Sequence, residues 1–158
     1  MSIKLAAVPE TKTFVSHLEC SYTGERYEAD KLHNLSAAGK PLLVRYNLNE
    51  VKNVLTKDIL ANRETTLWRY RELLPVRHQK NCVSLGEIMT PVLLMPKLQK
   101  AEGASGEIMI KDEGRLPTGS FKARGLVMAV SMAKELGVKR MAMPTNGNAG
   151  AALAAYCA

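Results

Sequence analysis

Two short segments concentrate the residue types that do chemistry. The first is Lys111-Asp112-Glu113-Gly114-Arg115-Leu116-Pro117-Thr118-Gly119-Ser120-Phe121-Lys122-Ala123-Arg124-Gly125; the second is Pro144-Thr145-Asn146-Gly147-Asn148-Ala149-Gly150. Lys122 falls in the first turn of a predicted helix, where the macrodipole disfavours an ammonium relative to a neutral amine. A neutral lysine amine is a nucleophile and forms Schiff bases with carbonyl compounds. The residues alone leave open an exposed lysine that merely begins a helix. In the second segment, Thr145, Asn146, Gly147 and Asn148 precede a predicted helix, so free backbone N–H groups and short polar side chains face whatever anion sits there. A carboxylate fits. Gly147 and Gly150 allow backbone to approach a ligand closely. An ordinary polar turn with Asn148 as helix cap is the alternative.

The elements that position these segments follow from periodicity and punctuation. Ile108-Met109-Ile110 is a predicted strand, residues 118–137 a helix, 138–143 a second strand, and Asn148 opens a second helix. Thr118 and Ser120 are candidate caps of the first helix, Leu126, Val127, Val130 and Leu136 its apolar face, and Gly137 its stop. Strand, helix, strand, helix at this spacing predicts α/β architecture with a parallel sheet, in which ligands gather at the carboxyl ends of the strands. Upstream, residues 14–19 and 42–46 are predicted short strands separated by a turn at Thr23-Gly24. Residues 49–62 have helical spacing with Asn49 as cap, and 65–74 a second helix that stops before Pro75. Thr90-Pro91 leads into a strand at Val92. The chain divides into an amino-terminal segment 1–48, a helical connection 49–84 and the first part of an α/β domain at 85–158.

Composition excludes several classes. Charges interrupt every apolar run well short of the roughly 18 to 20 residues a membrane span needs, so no membrane is expected. The opening Met1–Glu10 has one lysine and too short an apolar run for a secretory leader, and a cytoplasmic location is expected. Cys20, Cys82 and Cys157 are an odd set with no disulfide framework; Cys82 and Cys157 are expected to be buried thiols. The net charge of +7 lies mostly in the second half, where 11 basic residues face 6 acidic ones, against 11 and 9 in residues 1–75. The basic residues are scattered and aromatics make up only 5% of the chain, so nucleic acid is not the expected partner. An anionic small ligand accounts for the excess better. The final helical run reaches Ala158 without a stop signal, so the chain is expected to be the front part of a longer polypeptide. Met128, Met132, Met141 and Met143 are expected to pack in the core.

The run Pro117-Thr118-Gly119-Ser120-Phe121-Lys122-Ala123-Arg124-Gly125, followed by Gly147-Asn148-Ala149-Gly150, resembles the pyridoxal-phosphate enzymes of the tryptophan-synthase β-subunit type. Within them it most resembles the threonine synthases. Thr90-Pro91 and Leu67-Trp68-Arg69-Tyr70 with Leu73-Leu74-Pro75 extend the likeness over most of the chain. The resemblance implies pyridoxal 5'-phosphate as cofactor, Lys122 as the lysine of the internal aldimine, Asn148 as hydrogen-bond partner of the cofactor's 3'-oxygen, and Phe121 beside its ring. It places the substrate's α-carboxylate on Thr145, Asn146, Gly147, Asn148 and Ala149. The implied substrate is O-phosphohomoserine, converted with water to L-threonine and phosphate, and a homodimer is compatible. Serine or threonine deamination, and a non-catalytic ligand-binding module, are the alternatives. Leu116 and Asn146 depart from the family's usual Asn and Ser or Ala. Lys111, Arg115 and Arg124 are the nearest basic candidates for the substrate phosphate. The family's Gly-rich phosphate cradle and its partner for the pyridine nitrogen have no counterpart in these residues, so the chain alone is expected to be inactive.

The amino-terminal segment also resembles the small Cys-x-x-Cys ribbon of many relatives. Only Cys20 is retained, with Thr23, Leu35 and Ala38 at the other ligand positions. His17 and His33 lack the spacing to complete a four-ligand site. The expectation is a metal-free ribbon.

Overall fold

The computed structural model describes residues 13–158. The opening run Met1–Glu10, and with it the start of the expected 1–48 segment, lies outside the described residues. Strand β1 (Val15–Cys20) is central in a three-stranded antiparallel sheet, between β2 (Arg26–Tyr27) and β3 (Leu42–Tyr46). The turn after β1 closes through Gly24, whose φ of 73° suits glycine and whose N–H donates to the Cys20 carbonyl at 3.1 Å. Cys20 is buried, and its Sγ donates to Ser36 Oγ at 3.1 Å and accepts from Thr23 N–H at 3.4 Å. These hydrogen bonds, the one to Ser36 first, bring the thiol down to about 7. Ser36 Oγ also accepts from Lys40 N–H at 3.1 Å. Ser36, rather than Leu35 or Ala38, therefore faces Cys20: Leu35 is exposed, and the two turns meet through the shorter polar side chain. Among the described residues no group of three His, Cys, Asp or Glu side chains is placed to hold a metal.

The helix expected over residues 49–62 is two helices, α1 (Leu48–Val54) and α2 (Lys57–Ala61). Asn47, not Asn49, caps the first, accepting from Glu50 N–H at 3.4 Å. Leu55 is extended and the Thr56 hydroxyl restarts the chain by accepting from Ile59 N–H at 3.2 Å. Residues Leu67–Leu73 form a 3-10 helix that ends, as expected, before Pro75. A buried ion pair braces it, with Arg63 Nη1 and Nη2 2.7 and 2.6 Å from the Glu72 carboxylate.

The second sheet has two strands, β4 (Val92–Leu94) and β5 (Met109–Lys111), joined through helix α3 (Pro96–Ala101). They are antiparallel, pairing Leu93 with Ile110. The expected parallel sheet is not formed among the described residues, and residues 138–143 are not a strand. Parallel ladders are found where both faces are covered, and among the described residues nothing covers these strands: Val92, Leu94 and Met109 are 56%, 60% and 55% exposed. Met141 and Met143 are likewise exposed rather than packed, and Cys157 is exposed while Cys82 is half-buried.

Helix α4 (Lys122–Glu135) and helix α5 (Asn148–Cys157) build the main core. Ala123, Val127 and Val130, at i, i+4 and i+7, meet Ala152, Leu153 and Tyr156, with Leu116 completing the cluster. α4 ends in a Schellman arrangement: Val138 N–H donates to the Ala133 carbonyl at 2.8 Å and Gly137 N–H to Lys134 at 3.2 Å, with Gly137 at φ 71°. Gly137 is thus the stop expected from its position. No helix among the described residues is long and apolar enough to cross a membrane.

Glu87 is fully buried beneath this core. Its carboxylate accepts from Tyr156 Oη, from Leu85 N–H at 3.0 Å and from Ser84 Oγ at 2.6 Å. Burial pushes the carboxyl up, but these hydrogen bonds outweigh it and hold the group below its ordinary range. A buried carboxylate that loses a donor costs more than an ordinary hydrogen bond. Tyr156→Phe is therefore expected to lower stability by about 1.5–3 kcal/mol, read as a shift in the urea unfolding midpoint; an unshifted midpoint would show that Glu87 needs no donor from α5.

Candidate functional site

The first chemically loaded segment is a loop between β5 and α4. Asp112 Oδ1 accepts from Gly114 N–H at 3.2 Å and starts a short 3-10 turn. Leu116, 3% exposed, then drops into the core. This explains why a leucine stands there: its side chain packs against α4 and α5 and does not face a ligand. Gly119, at φ 69°, donates to the Leu116 carbonyl at 2.8 Å and turns the chain back inward.

Lys122 is accordingly the first residue of α4, half-buried, with Phe121 in the capping position. The Lys122 Nζ lies 4.6 Å from the Phe121 ring centroid, and Phe121 itself is 59% exposed. Thr118 and Ser120 do not cap the helix as their types predict. Instead Thr118 Oγ1 and Ser120 Oγ are buried with no hydrogen-bond partner among the described residues. Each such hydroxyl costs about 1–3 kcal/mol while it stays unpaired, and both flank the turn that presents Lys122.

The second segment is held by its own hydroxyl. Thr145 Oγ1 accepts from Gly147 N–H at 3.0 Å and Gly150 N–H at 2.9 Å. Gly147 adopts φ 130°, a conformation side chains avoid. A Cβ on Gly150 would lie 2.6 Å from Thr145 Cγ2. The first intrahelical bond of α5 runs from Ala151 N–H to the Gly147 carbonyl at 2.9 Å; of the four N–H groups before it, which have no intrahelical partner, those of Gly147 and Gly150 are satisfied by Thr145. The N–H groups of Asn148 and Ala149 remain, at the positive end of the helix. Thr145 still has its own proton to donate. Asn146, Gly147 and Asn148 are exposed, so this end is open.

The three basic residues expected near a substrate phosphate are all engaged by neighbours. Lys111 Nζ donates to the Thr90 carbonyl at 2.9 Å, and Arg115 Nε to Asp112 Oδ2 at 2.8 Å. Arg124 forks onto Glu113, with Nε 2.5 Å from Oε2 and Nη2 2.9 Å from Oε1. Thr90 Oγ1 donates to the same carboxylate at 2.5 Å. Glu113 and Glu87 were not singled out in the sequence. Nothing in spacing pairs residue 113 with 124, or 87 with 156, because a fold-level contact joins them.

The fork from Arg124 holds the Glu113 carboxyl at about 2, against a smaller upward push from partial burial and with help from Thr90. Its folded value lies below the ordinary carboxylate value of about 4.3. The stability it contributes is therefore complete above that value and lost as pH falls toward about 2. Glu113→Gln is expected to flatten the fall of the urea midpoint between about pH 4 and pH 2; a slope equal to the parent's would remove Glu113 as its source. Independently, Gly150→Ala forces Thr145 out of its place. We expect a loss of about 1–3 kcal/mol in urea unfolding, and a neutral result would mean the loop shifts without strain.

Comparison with known proteins places the segment that carries both loops in a family context. Residues 83–158 match the family described as "Pyridoxal-phosphate dependent enzyme". The chain is 39% identical to the threonine synthase of Methanocaldococcus jannaschii over 139 residues, covering 88% of this chain and 34% of that protein. It is 35% identical to the threonine synthase of Methanosarcina acetivorans over 141 residues, covering 89% and 34%. The threonine synthase of Synechocystis is 45% identical over 87 residues, covering 55% and 23%. The chain thus spans about a third of the length of the first two relatives it matches. No solved structure matches it. Lys122, Thr118, Ser120 and the Asn148 end of α5 all lie inside the matched residues, so it is this part of the chain, residues 83–158, that matches the pyridoxal-phosphate dependent enzyme family.

Proposed function

We propose that this chain carries the lysine-bearing part of a threonine synthase, which converts O-phospho-L-homoserine and water to L-threonine and phosphate. The observation that carries the reading is the turn before Lys122: it holds two buried hydroxyls, Thr118 and Ser120, that have no partner among the described residues, and leads directly into the half-buried Lys122. Relatives named threonine synthase over most of the chain supply the substrate.

The residues present fit pyridoxal 5'-phosphate. Unpaired buried hydroxyls at Thr118 and Ser120 are suited to a polar group, and an amine is the residue type a carbonyl cofactor requires. When bound, the cofactor supplies the electron sink for charge developing on the substrate. Lys122 would hold it covalently through Nζ, and the same amine, once released, would carry protons at the substrate's α and β carbons. Phe121 would flank the ring, and Asn148 would donate through its side chain to the ring oxygen. The Asn148 and Ala149 N–H groups and the Thr145 hydroxyl would bind the α-carboxylate, with Asn146 and Gly147 completing that loop. No step requires Thr145 to give up its hold on Gly150, because it accepts there and donates to the carboxylate.

The test is chemical trapping. The chain is incubated with pyridoxal 5'-phosphate, reduced with borohydride and mapped by peptide mass. Label is expected at Lys122, and O-phospho-L-homoserine added before reduction is expected to lower it more than equal L-serine or L-threonine. Lys122→Ala is expected to lose both the label at that peptide and the visible absorption of the bound cofactor. Label spread over the exposed lysines, with absorption unchanged in Lys122→Ala, would defeat the assignment.

A further inference from the structure

Glu113 and Arg124 stand at the two ends of the loop that carries Thr118, Ser120 and Lys122. Among the described residues the loop is held within itself by Leu116 N–H to the Glu113 carbonyl at 3.4 Å, Gly119 N–H to Leu116 at 2.8 Å and the first bonds of α4, while Asp112 ties its start through Gly114 N–H and Arg115 Nε. Leu116 and, at its far end, Ala123 anchor it in the core. Across the ends run the two parallel bonds of the Arg124 fork. A third segment joins them: Thr90 Oγ1 donates to Glu113 at 2.5 Å and lies 3.4 Å from Arg124 Nη2, while Lys111 Nζ, 4.0 Å from the Glu113 carboxylate, donates to the Thr90 carbonyl. The fork is partly shielded, Arg124 being 31% and Glu113 23% exposed. Two parallel N–H···O bonds fix orientation as well as distance, which a lysine's point charge cannot do.

The direction matters because of where Arg124 sits on α4. Residues two apart on a helix point to nearly opposite sides. Holding Arg124 toward Glu113 and Thr90 therefore fixes the rotation of the first turn and sends Lys122 the other way.

We infer that Glu113, Arg124 and Thr90 form a positioning clamp that closes the lysine-bearing loop and sets the direction in which Lys122 is presented. Arg124 and Glu113 act through Lys122 and do not touch the substrate. The inference rests on the reading of Lys122 as the cofactor-bearing lysine and adds the residues that aim it. The clamp spends no charge on the ligand, which is why Arg124 is unavailable to a substrate phosphate.

The experiment compares trapping at Lys122 with trapping at Lys134, an exposed lysine on the same helix, in one sample with pyridoxal 5'-phosphate and borohydride. The internal reference cancels differences in concentration and in general lysine reactivity. In Arg124→Lys and in Glu113→Gln the Lys122 to Lys134 ratio is expected to fall about tenfold, as loss of aim does. Amide hydrogen exchange is expected to quicken over residues 117–121 and to stay at the parent's rate over 126–134. The double variant Glu113→Arg with Arg124→Glu, which restores a fork with its ends exchanged, is expected to recover most of the ratio. A ratio within about twofold of the parent in both single variants, with Lys122 labelled in the parent, overturns the clamp and leaves the cofactor reading standing. Exchange that quickens equally over 126–134, or a double variant no better than the single ones, shows a merely structural pair and overturns the clamp as well. An unlabelled Lys122 in the parent overturns the cofactor reading, and the clamp falls with it.

Discussion

The packing of α4 on α5 is the constraint from which the candidate site follows. Ala123 and Ala152 are fully buried where the helices meet, and side chains this small let the two backbones approach closely. Ala123 directly follows Lys122, and Ala152 is four residues into the helix that Asn148 opens. The interface that closes the core therefore also holds the helix that begins with the Lys122 amine and the helix whose open N–H groups are proposed to receive a carboxylate. A larger residue at either alanine would push the helices apart and separate the two chemical loops at the same time.

α4 is pinned along its whole length by groups outside the core. Its first turn is tied to Glu113 and Thr90 through Arg124. Its middle accepts Val83 N–H on the buried Ser131 hydroxyl at 3.0 Å, and its last turn holds His78 Nδ1 on Glu135 at 2.6 Å. These three attachments come from residues 78–90 and 113, the connection that precedes the helix. Trp68 Nε1 extends the same line by donating to the Val83 carbonyl at 3.2 Å. Residues 78–90, which precede β4 and have little regular structure of their own, are thus the surface against which the lysine-bearing helix is fixed.

Local signals were legible in the sequence and long-range ones were not. Gly137 announces the end of α4, Pro75 the end of the 3-10 helix, and the Gly-rich turn before Asn148 the start of α5; each is decided within a few residues. Lys122 at a helix amino terminus was legible for the same reason. The break at Leu55 was missed because the apolar spacing continues through it, and only the capping hydroxyl of Thr56 reveals the restart. Residues 138–143 have strand composition but pair with nothing among the described residues, since a strand depends on neighbours that composition does not specify. Thr118 and Ser120 have the residue types of caps, yet the turn at Gly119 directs their hydroxyls inward.

The two loops of the site owe their shape to different physics. The Thr145 loop is held by bonds that span two and five residues, together with a glycine that only tolerates a hydrogen at Cα, so its geometry is set by its own sequence. The Lys122 loop is held by a core leucine and by an ion pair across eleven residues that also enlists Thr90, so its geometry exists only once the surrounding chain has folded. Under the proposed roles the difference has a reason: backbone N–H groups that receive a carboxylate need only be present and open, which a local turn can guarantee. An amine proposed to hold a cofactor and deliver protons has to be aimed, and aim requires contacts from more than one direction. The tertiary effort in this part of the fold is accordingly spent on the lysine.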